Sequence, residues 1–318
     1  MDDKTMQVLN EASGENWHLY NGDCVEVVSE LPDESIGFSV FSPPFSSLYV
    51  YSDSENDMGN CETDDEFFEH FGFLVKQLFR VLQSGRCISV HCMNLPSTMQ
   101  HNGYIGIRDF RGDVIRCFQS YGFVYHSEVC IWKDPVTAMQ RTKALGLLHK
   151  QVVKDSCRSR QGIPDYVCTF RKPGVNANPV EGGFEYFAGD EDTFQNTGTL
   201  SIDVWQRYAS PVWMDIRQTR TLSYREARGD DDTRHLCPLQ LDVIERCLQL
   251  WSKPNDIVLS PFAGVGSEGW ESVRLGRRFI GVELKPEYFE CAAKNLGRIT
   301  AKVETPSLFD QLECAESD

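Results

Sequence analysis

Residues 256–286, DIVLSPFAGVGSEGWESVRLGRRFIGVELKP, decide the fold. The apolar run Ile257–Ser260 reads as a buried strand that Pro261 halts. Gly264 and Gly266 allow a tight turn, and a helix follows over 268–275. A second apolar run, Arg278–Glu283, ends on an acid. Strand, glycine turn, helix, strand and acid predict one unit of a parallel sheet with a ligand-binding turn at its carboxyl end. The two oxygens of Glu283 suit a ribose diol, a feature generic to nucleotide-like ligands. The stretch is not a phosphate-binding P-loop, because GxxxxGK[ST] is absent. Residues 264–269 do match GxGxxG, so this stretch alone leaves a dinucleotide site and a plain strand-to-helix turn both open.

The same rhythm extends outward. Residues 238–251 suit a helix with Pro238 in its first turn, and Pro286 opens another to about residue 296. Residues 17–172 also alternate strands and helices. The run 36–41 ends at Ser42-Pro43-Pro44. Asp64 or Asp65 is expected to cap a helix that runs from 66 to about 83, and 86–92 reads as a buried strand. A helix at 113–121 and strands at 123–132 and 166–171 follow. The blocks 17–172 and 235–297 predict a single α/β domain with one mainly parallel sheet. Residues 134–234 lose the alternation and are expected to form a lobe or long connection around the substrate. Residues 303–318 form an acidic tail.

Ser42-Pro43-Pro44-Phe45 has its own chemistry. Consecutive prolines fix the backbone and remove two amide donors, which leaves carbonyls free to accept hydrogen bonds. Phe45 adds a ring that can stack on a planar base. A rigid surface turn accounts for the same four residues if they are taken alone.

With 41% apolar and 25% charged residues the chain is expected to be globular. It has no apolar run of about 18 residues for a membrane span and no basic and apolar leader, so a cytoplasmic location is expected. Twelve scattered cysteines without a CxxC pair predict mostly buried thiols, and no metal site is expected. A net charge of −16 argues against binding nucleic acid through a uniformly basic surface. The charge is uneven, however. Residues 133–172 carry nine Lys or Arg against three acids, whereas 181–203 carry six acids and no base. Arg141, Lys143, Lys150, Lys154, Arg158 and Arg160 are the candidate DNA-backbone contacts.

Taken together and in this order, the two loops resemble the amino-directed DNA methyltransferase family, which modifies adenine N6 or cytosine N4. Ser42-Pro43-Pro44-Phe45 is similar to its catalytic tetrad. The loop Pro261, Phe262, Gly264, Gly266 and Ser267 is similar to its cofactor loop, and Glu283 falls at its ribose-binding acid. Asp23 resembles the strand-end acid beside the adenine of the cofactor. Cys237 and Pro238 resemble the segment that closes over the methionine part. Target tetrad first and cofactor loop last is the motif order of the family's β group. Ser260 stands where that family commonly has aspartate, and Val265 where it has serine.

The resemblance implies a three-layer Rossmann-like fold and S-adenosyl-L-methionine as methyl donor. It also implies a DNA partner whose target base is flipped into the pocket, a target-recognition role for 134–234, and a restriction-modification setting. Dimerisation stays open. Amino protons bonded to Ser42 and the Pro43 carbonyl would aim the nitrogen lone pair, and with no strong base apparent the proton would leave to water. Ser42 in the tetrad favours cytosine N4, with adenine N6 as the alternative. A cytosine-C5 enzyme would need a nucleophilic cysteine in a Pro-Cys setting, whereas Cys237-Pro238 has the reverse order, so Cys24 and Cys237 read as packing residues. The acidity and Ser260 keep open a member that binds DNA as a regulatory module without transferring a methyl group. Arg108, Asp109 and Arg111 read as a solvated turn. Trp205, Tyr208 and Trp213 read as packing residues, with base stacking as their other role.

Overall fold

The computed structural model describes residues 8–45, 58–61, 63–136, 147–181, 188–190, 195–200, 202–223 and 238–304. Its strands are β1 (Asn10–Gly14), β2 (Trp17–Asn21), β3 (Phe38–Phe41), β4 (Cys87–Met93), β5 (Leu95–Ser97), β6 (Gly106–Arg108), β7 (Val124–Ile131), β8 (Asp165–Arg171), β9 (Ala188–Asp190), β10 (Gln195–Leu200), β11 (Val212–Trp213), β12 (Ile257–Ser260) and β13 (Arg278–Glu283). The helices are α1 (Cys24–Glu30), α2 (Asp64–Val81), α3 (Met99–Asn102), α4 (Phe110–Ser120), α5 (His149–Lys154), α6 (Ile202–Ala209), α7 (Leu241–Trp251), α8 (Ser267–Arg274) and α9 (Pro286–Glu304).

Nine strands form the central sheet in the order β1-β2-β13-β12-β3-β4-β8-β7-β11. From β2 to β4 every pairing is parallel, and β8 runs antiparallel between β4 and β7. Both faces are covered. Residues of α7, α8 and α9 fill one core with Leu19, Phe38 and Val258. Residues of α1, α2 and α4 fill the other with Phe41, Val90 and Leu259. The strands in the middle must therefore be apolar on both sides, which is why 36–41 and 257–260 read as continuous apolar runs. The expected three-layer α/β fold is the one observed.

Several boundaries and roles differ from expectation. Thr63, not Asp64 or Asp65, caps α2, its hydroxyl accepting from the Glu66 amide at 3.1 Å. Asp109 is the cap of α4 and accepts from the Gly112 amide at 3.1 Å. Its neighbours are paired: Arg108 with Asp64 at 3.0 Å and Arg111 with Glu128 at 2.8 Å. α7 starts at Leu241, with Pro238 buried ahead of it. α9 runs past residue 296 because Leu296 and Ile299 are buried and the Thr300 hydroxyl accepts from the Trp17 indole at 3.1 Å. β1 pairs with β2 at the sheet edge, where an almost wholly exposed strand leaves no apolar alternation to read.

The middle region also contributes to the sheet, since β11 pairs with β7. Just beyond it, residues 215–222 are pinned to α7 by charge. Asp242 accepts from the Arg217 amide at 2.8 Å, from the Arg217 side chain at 2.7 and 3.0 Å and from Arg220 at 2.6 Å. Burial pushes the Asp242 carboxyl up, but these donors outweigh it and hold the group at about 2. A depressed carboxylate stabilises the fold above its unfolded pKa and loses that contribution as pH falls through the folded value. Asp242→Asn is therefore expected to cost about 2–3 kcal/mol at neutral pH. Urea melts should show the gap from wild type closing between about pH 5 and about pH 2; a gap constant with pH contradicts this role.

Candidate active site

The site lies where β12 and β3 run side by side in parallel, with Val258 beside Phe38 and Leu259 beside Ser39. The chain leaves β12 into α8 on one face of the sheet and leaves β3 toward α2 on the other. Adjacent strands whose connections go to opposite faces open a crevice at their carboxyl ends, and a parallel sheet binds its ligand there. The Ser42 tetrad follows β3 and the glycine loop follows β12, so the two loops border one crevice.

The glycine loop is held by its own backbone and by Glu283. The Ala263 amide donates to the Val282 carbonyl at 2.8 Å. Gly264 sits at φ 52° and Gly266 at φ 86°, left-handed conformations that favour glycine. A Cβ built on Gly264 would meet nothing within 4 Å, so the backbone there faces open space that a ligand can enter. Glu283 accepts from the Gly264 amide at 2.8 Å through one oxygen and from the Lys285 amide at 2.9 Å through the other. The Ser260 and Ser267 hydroxyls are buried beside this loop without a hydrogen-bond partner among the described residues. Buried polar atoms without partners are costly and point to a polar ligand. Glu268 is also buried; burial outweighs a hydrogen bond from its own backbone amide and, with the nearby Glu283 carboxylate adding to it, pushes the carboxyl up to about 8.

Asp23 reaches the glycine loop from the end of β2. The Gly22 amide donates to the Glu283 carbonyl at 3.1 Å, and the Asn21 side-chain amide donates to that carbonyl at 2.8 Å. Asp23 also caps α1, one oxygen accepting from Val25 at 2.7 Å and Glu26 at 3.1 Å. Cys24 is buried in the first turn, and burial raises its thiol well above the ordinary range, which suits a packing residue and not a nucleophile.

Across the crevice, Pro43 is buried, while Ser42, Pro44 and Phe45 are half-buried. Phe45 packs edge-on against Phe110 at 6.0 Å and stands 6.4 Å from the His91 ring. Ser42 Oγ lies 3.1 Å from His91 Nδ1. On its other side His91 Nε2 is 3.2 Å from Asp165 Oδ2, an ion-pair distance whose angle is off the line of a good hydrogen bond. Lys133 Nζ contacts the other Asp165 oxygen. Burial raises the Asp165 carboxyl, but Lys133 and His91 outweigh it and keep the group below the ordinary carboxylate range. His91 and Asp165 were not legible as site residues. Their signal is register: Phe41 pairs with Val90, which sets Ser42 beside His91.

The remaining expected residues are placed as follows. Lys150, Lys154 and Arg158 are exposed on α5 and the turn after it, while Arg160 is half-buried and donates to the Gln161 carbonyl at 2.8 Å. Arg141, Lys143 and Cys237 lie outside the described residues. Trp213 and Tyr208 are buried, and the Arg246 guanidinium lies over both rings at 5.1 and 5.0 Å; Trp205 is exposed. Seven of the ten described cysteines are buried and all ten are free. Among the described residues no helix is long and apolar enough to cross a membrane, and no His, Cys, Asp and Glu group is arranged to hold a metal ion.

A glycine loop open to a ligand and a proline-rich loop border one crevice at a switch point of the sheet, an arrangement suited to group transfer. Comparison with known proteins gives this class its family. A model of N6 and N4 methyltransferases, described as DNA methylase, matches residues 36–294. The DNA adenine methyltransferase YhdJ of Escherichia coli (strain K12) is 39% identical over 283 residues, which cover 87% of this chain and 82% of that protein. The type II methyltransferase M.BglII of Bacillus subtilis is 26% identical over 279 residues, covering 86% of this chain and 67% of the relative. The chain spans only 29% of the longer M.BslI of Bacillus sp. (strain NEB-606). A DNA modification methylase of Thermus thermophilus, solved with S-adenosyl-L-methionine, superposes with a TM-score of 0.61 at 21% identity, covering 89% of this chain and 95% of that one. The chain belongs to the DNA methylase family, the S-adenosylmethionine-dependent amino-methyltransferases of DNA.

Glu283→Ala removes the carboxylate that braces the glycine loop and faces the cradle. Calorimetry is expected to show S-adenosylmethionine binding weakened by about 1–3 kcal/mol. Unchanged affinity contradicts the placement of the cofactor at this loop.

Proposed function

We propose that this chain methylates the exocyclic N4 of cytosine at a specific site in DNA. The observation that carries the reading is the meeting of the Ser42 tetrad and the Glu283-braced glycine loop at one crevice. S-adenosylmethionine supplies an electrophilic methyl group when bound. Glu283 is suited to its ribose hydroxyls, Pro261, Phe262, Gly264, Gly266 and Ser267 to its nucleoside and backbone-facing edge, and Asp23 to its adenine side. Pro238, with Cys237, closes the methionine end.

The target amino group needs acceptors for its protons and a wall for its ring. The Pro43 carbonyl and Ser42 hydroxyl supply the acceptors, and Phe45, steadied by Phe110, supplies the wall. A base in a duplex cannot reach this crevice without leaving the stack, so the target nucleotide is flipped. Residues 134–234 select the sequence, and Lys150, Lys154 and Arg158 track the phosphates. The neutral Ser42 favours cytosine N4. Adenine N6 is the second reading, favoured by the long match to the adenine methyltransferase YhdJ.

Nucleoside mass spectrometry of unmethylated DNA incubated with the protein and S-adenosylmethionine is expected to yield N4-methylcytosine, lost in Phe45→Ala with cofactor binding retained. N6-methyladenine as the only product overturns the choice of base. Neutralising Lys150, Lys154 and Arg158 together is expected to weaken binding to unrelated duplexes alike and to flatten the salt dependence by up to about 3 in log–log slope. An unaltered slope removes these residues from the interface.

A further inference from the structure

We propose that His91, oriented by Asp165 and Lys133, takes up through the Ser42 hydroxyl the proton that the target amino nitrogen must shed. This rests on the methyltransferase reading and adds to it the fate of the proton, which the tetrad alone would leave to water.

The geometry runs from the crevice into the sheet. Ser42 is half-buried at the crevice and its Oγ lies 3.1 Å from His91 Nδ1, while His91 itself is buried behind it. Behind it, Nε2 faces Asp165 Oδ2 at 3.2 Å, and Lys133 lies against the other oxygen. Asp165 is 3% exposed, and the Lys133 ammonium against it offsets the cost of burial and keeps it ionised, so the imidazole has a carboxylate at its back. An ionised carboxylate at Nε2 favours the tautomer with its proton there, leaving the Nδ1 lone pair to accept from the Ser42 hydroxyl. His91 is thus a positioning residue, aiming Ser42, and the terminal acceptor of the chain.

The balance closes with these groups. As the nitrogen–methyl bond forms and the sulfur–methyl bond breaks, the sulfonium becomes a neutral thioether and the amino nitrogen gains the positive charge. An N–H proton passes to Ser42 Oγ while the Ser42 hydroxyl proton passes to Nδ1. The product amine is neutral and the imidazolium stands against Asp165. Reopening of the crevice returns the proton to solvent.

The charged groups around His91 come from the neighbouring strands. Asp165 on β8 and Lys133 beyond β7 act on it directly, and Cys130 on β7 couples to the same carboxylate. Cys92, next on β4, points to the opposite face, toward Cys168 and Glu128.

His91→Asn tests the assignment, because its side-chain oxygen can still accept from Ser42 but cannot take the proton. Single-turnover methylation by wild type should fall with falling pH as one ionisation. The variant should be about 100-fold slower with a flat profile and unchanged S-adenosylmethionine affinity. Ser42→Ala combined with His91→Asn should be no slower than the slower single variant. Full rate with the wild-type profile in His91→Asn, or fully additive losses in the double variant, overturns the proposal. Nitrogen NMR of the full chain without DNA or cofactor gives a reading independent of turnover. Wild type should show neutral His91 protonated at Nε2, with the signal shifted in Asp165→Asn. A proton resting on Nδ1 in the wild type overturns the relay, whereas absence of any methylated DNA product from wild type instead sinks the transferase reading.

Discussion

The parallel pairing of β3 with β12 is the contact on which the site depends. These strands lie more than two hundred residues apart in sequence, and the Ser39 hydroxyl on one donates to the buried Leu259 carbonyl on the other at 2.8 Å. A one-residue slip here would turn every side chain to the wrong face. The register also decides which loop stands opposite which. Because β3 and β12 lie side by side, the Ser42 loop stands next to the glycine loop. Because β3 and β4 are in register, Ser42 meets His91. The buried pair of Arg86 at the start of β4 with Asp256 ahead of β12 ties the opposite end of the same strands.

Electrostatics in this chain is local. A net charge of −16 spread evenly would repel a phosphate backbone, yet the buried acids are nearly all assigned to partners. Asp242 and Glu245 meet Arg217, Arg220 and Arg274; Asp165 meets Lys133 and His91. Burial pushes the Glu268 carboxyl beside the glycine loop up to about 8. Exposed Lys150, Lys154 and Arg158 lie in the stretch with the basic excess. Acidity at large and a locally basic stretch of surface are thus compatible.

Legibility followed the physics of each signal. The strands of the sheet centre, buried on both faces, were readable from continuous apolar runs. The Ser42 tetrad and the 260–267 loop were readable because prolines and glycines constrain backbone in ways few other residues can. Glu283 was singled out from its place at a strand end, where it accepts from the Gly264 amide. The edge strand β1 carries no apolar pattern, and short β5, β6 and β11 depend on partners far along the chain. His91 and Asp165 escaped for the same reason: a histidine inside a buried strand looks like a core residue until its neighbour is known. Asp109 is solvated as expected, but its second role as a cap is told only by the helix that starts after it. Asp23 has a cap's bonds in addition to its place at the crevice, and sequence alone could not separate the two roles.

The central claim is that the two loops make one working transfer site. Its most direct test is transfer of a labelled methyl group from S-adenosylmethionine to unmethylated duplex DNA, with Pro43→Ala and Glu283→Ala run alongside the wild type. The account predicts label in DNA from the wild type, loss of label with intact cofactor binding in Pro43→Ala, and loss of both in Glu283→Ala at limiting cofactor. Wild-type protein that binds cofactor and DNA yet leaves the DNA unlabelled would contradict it.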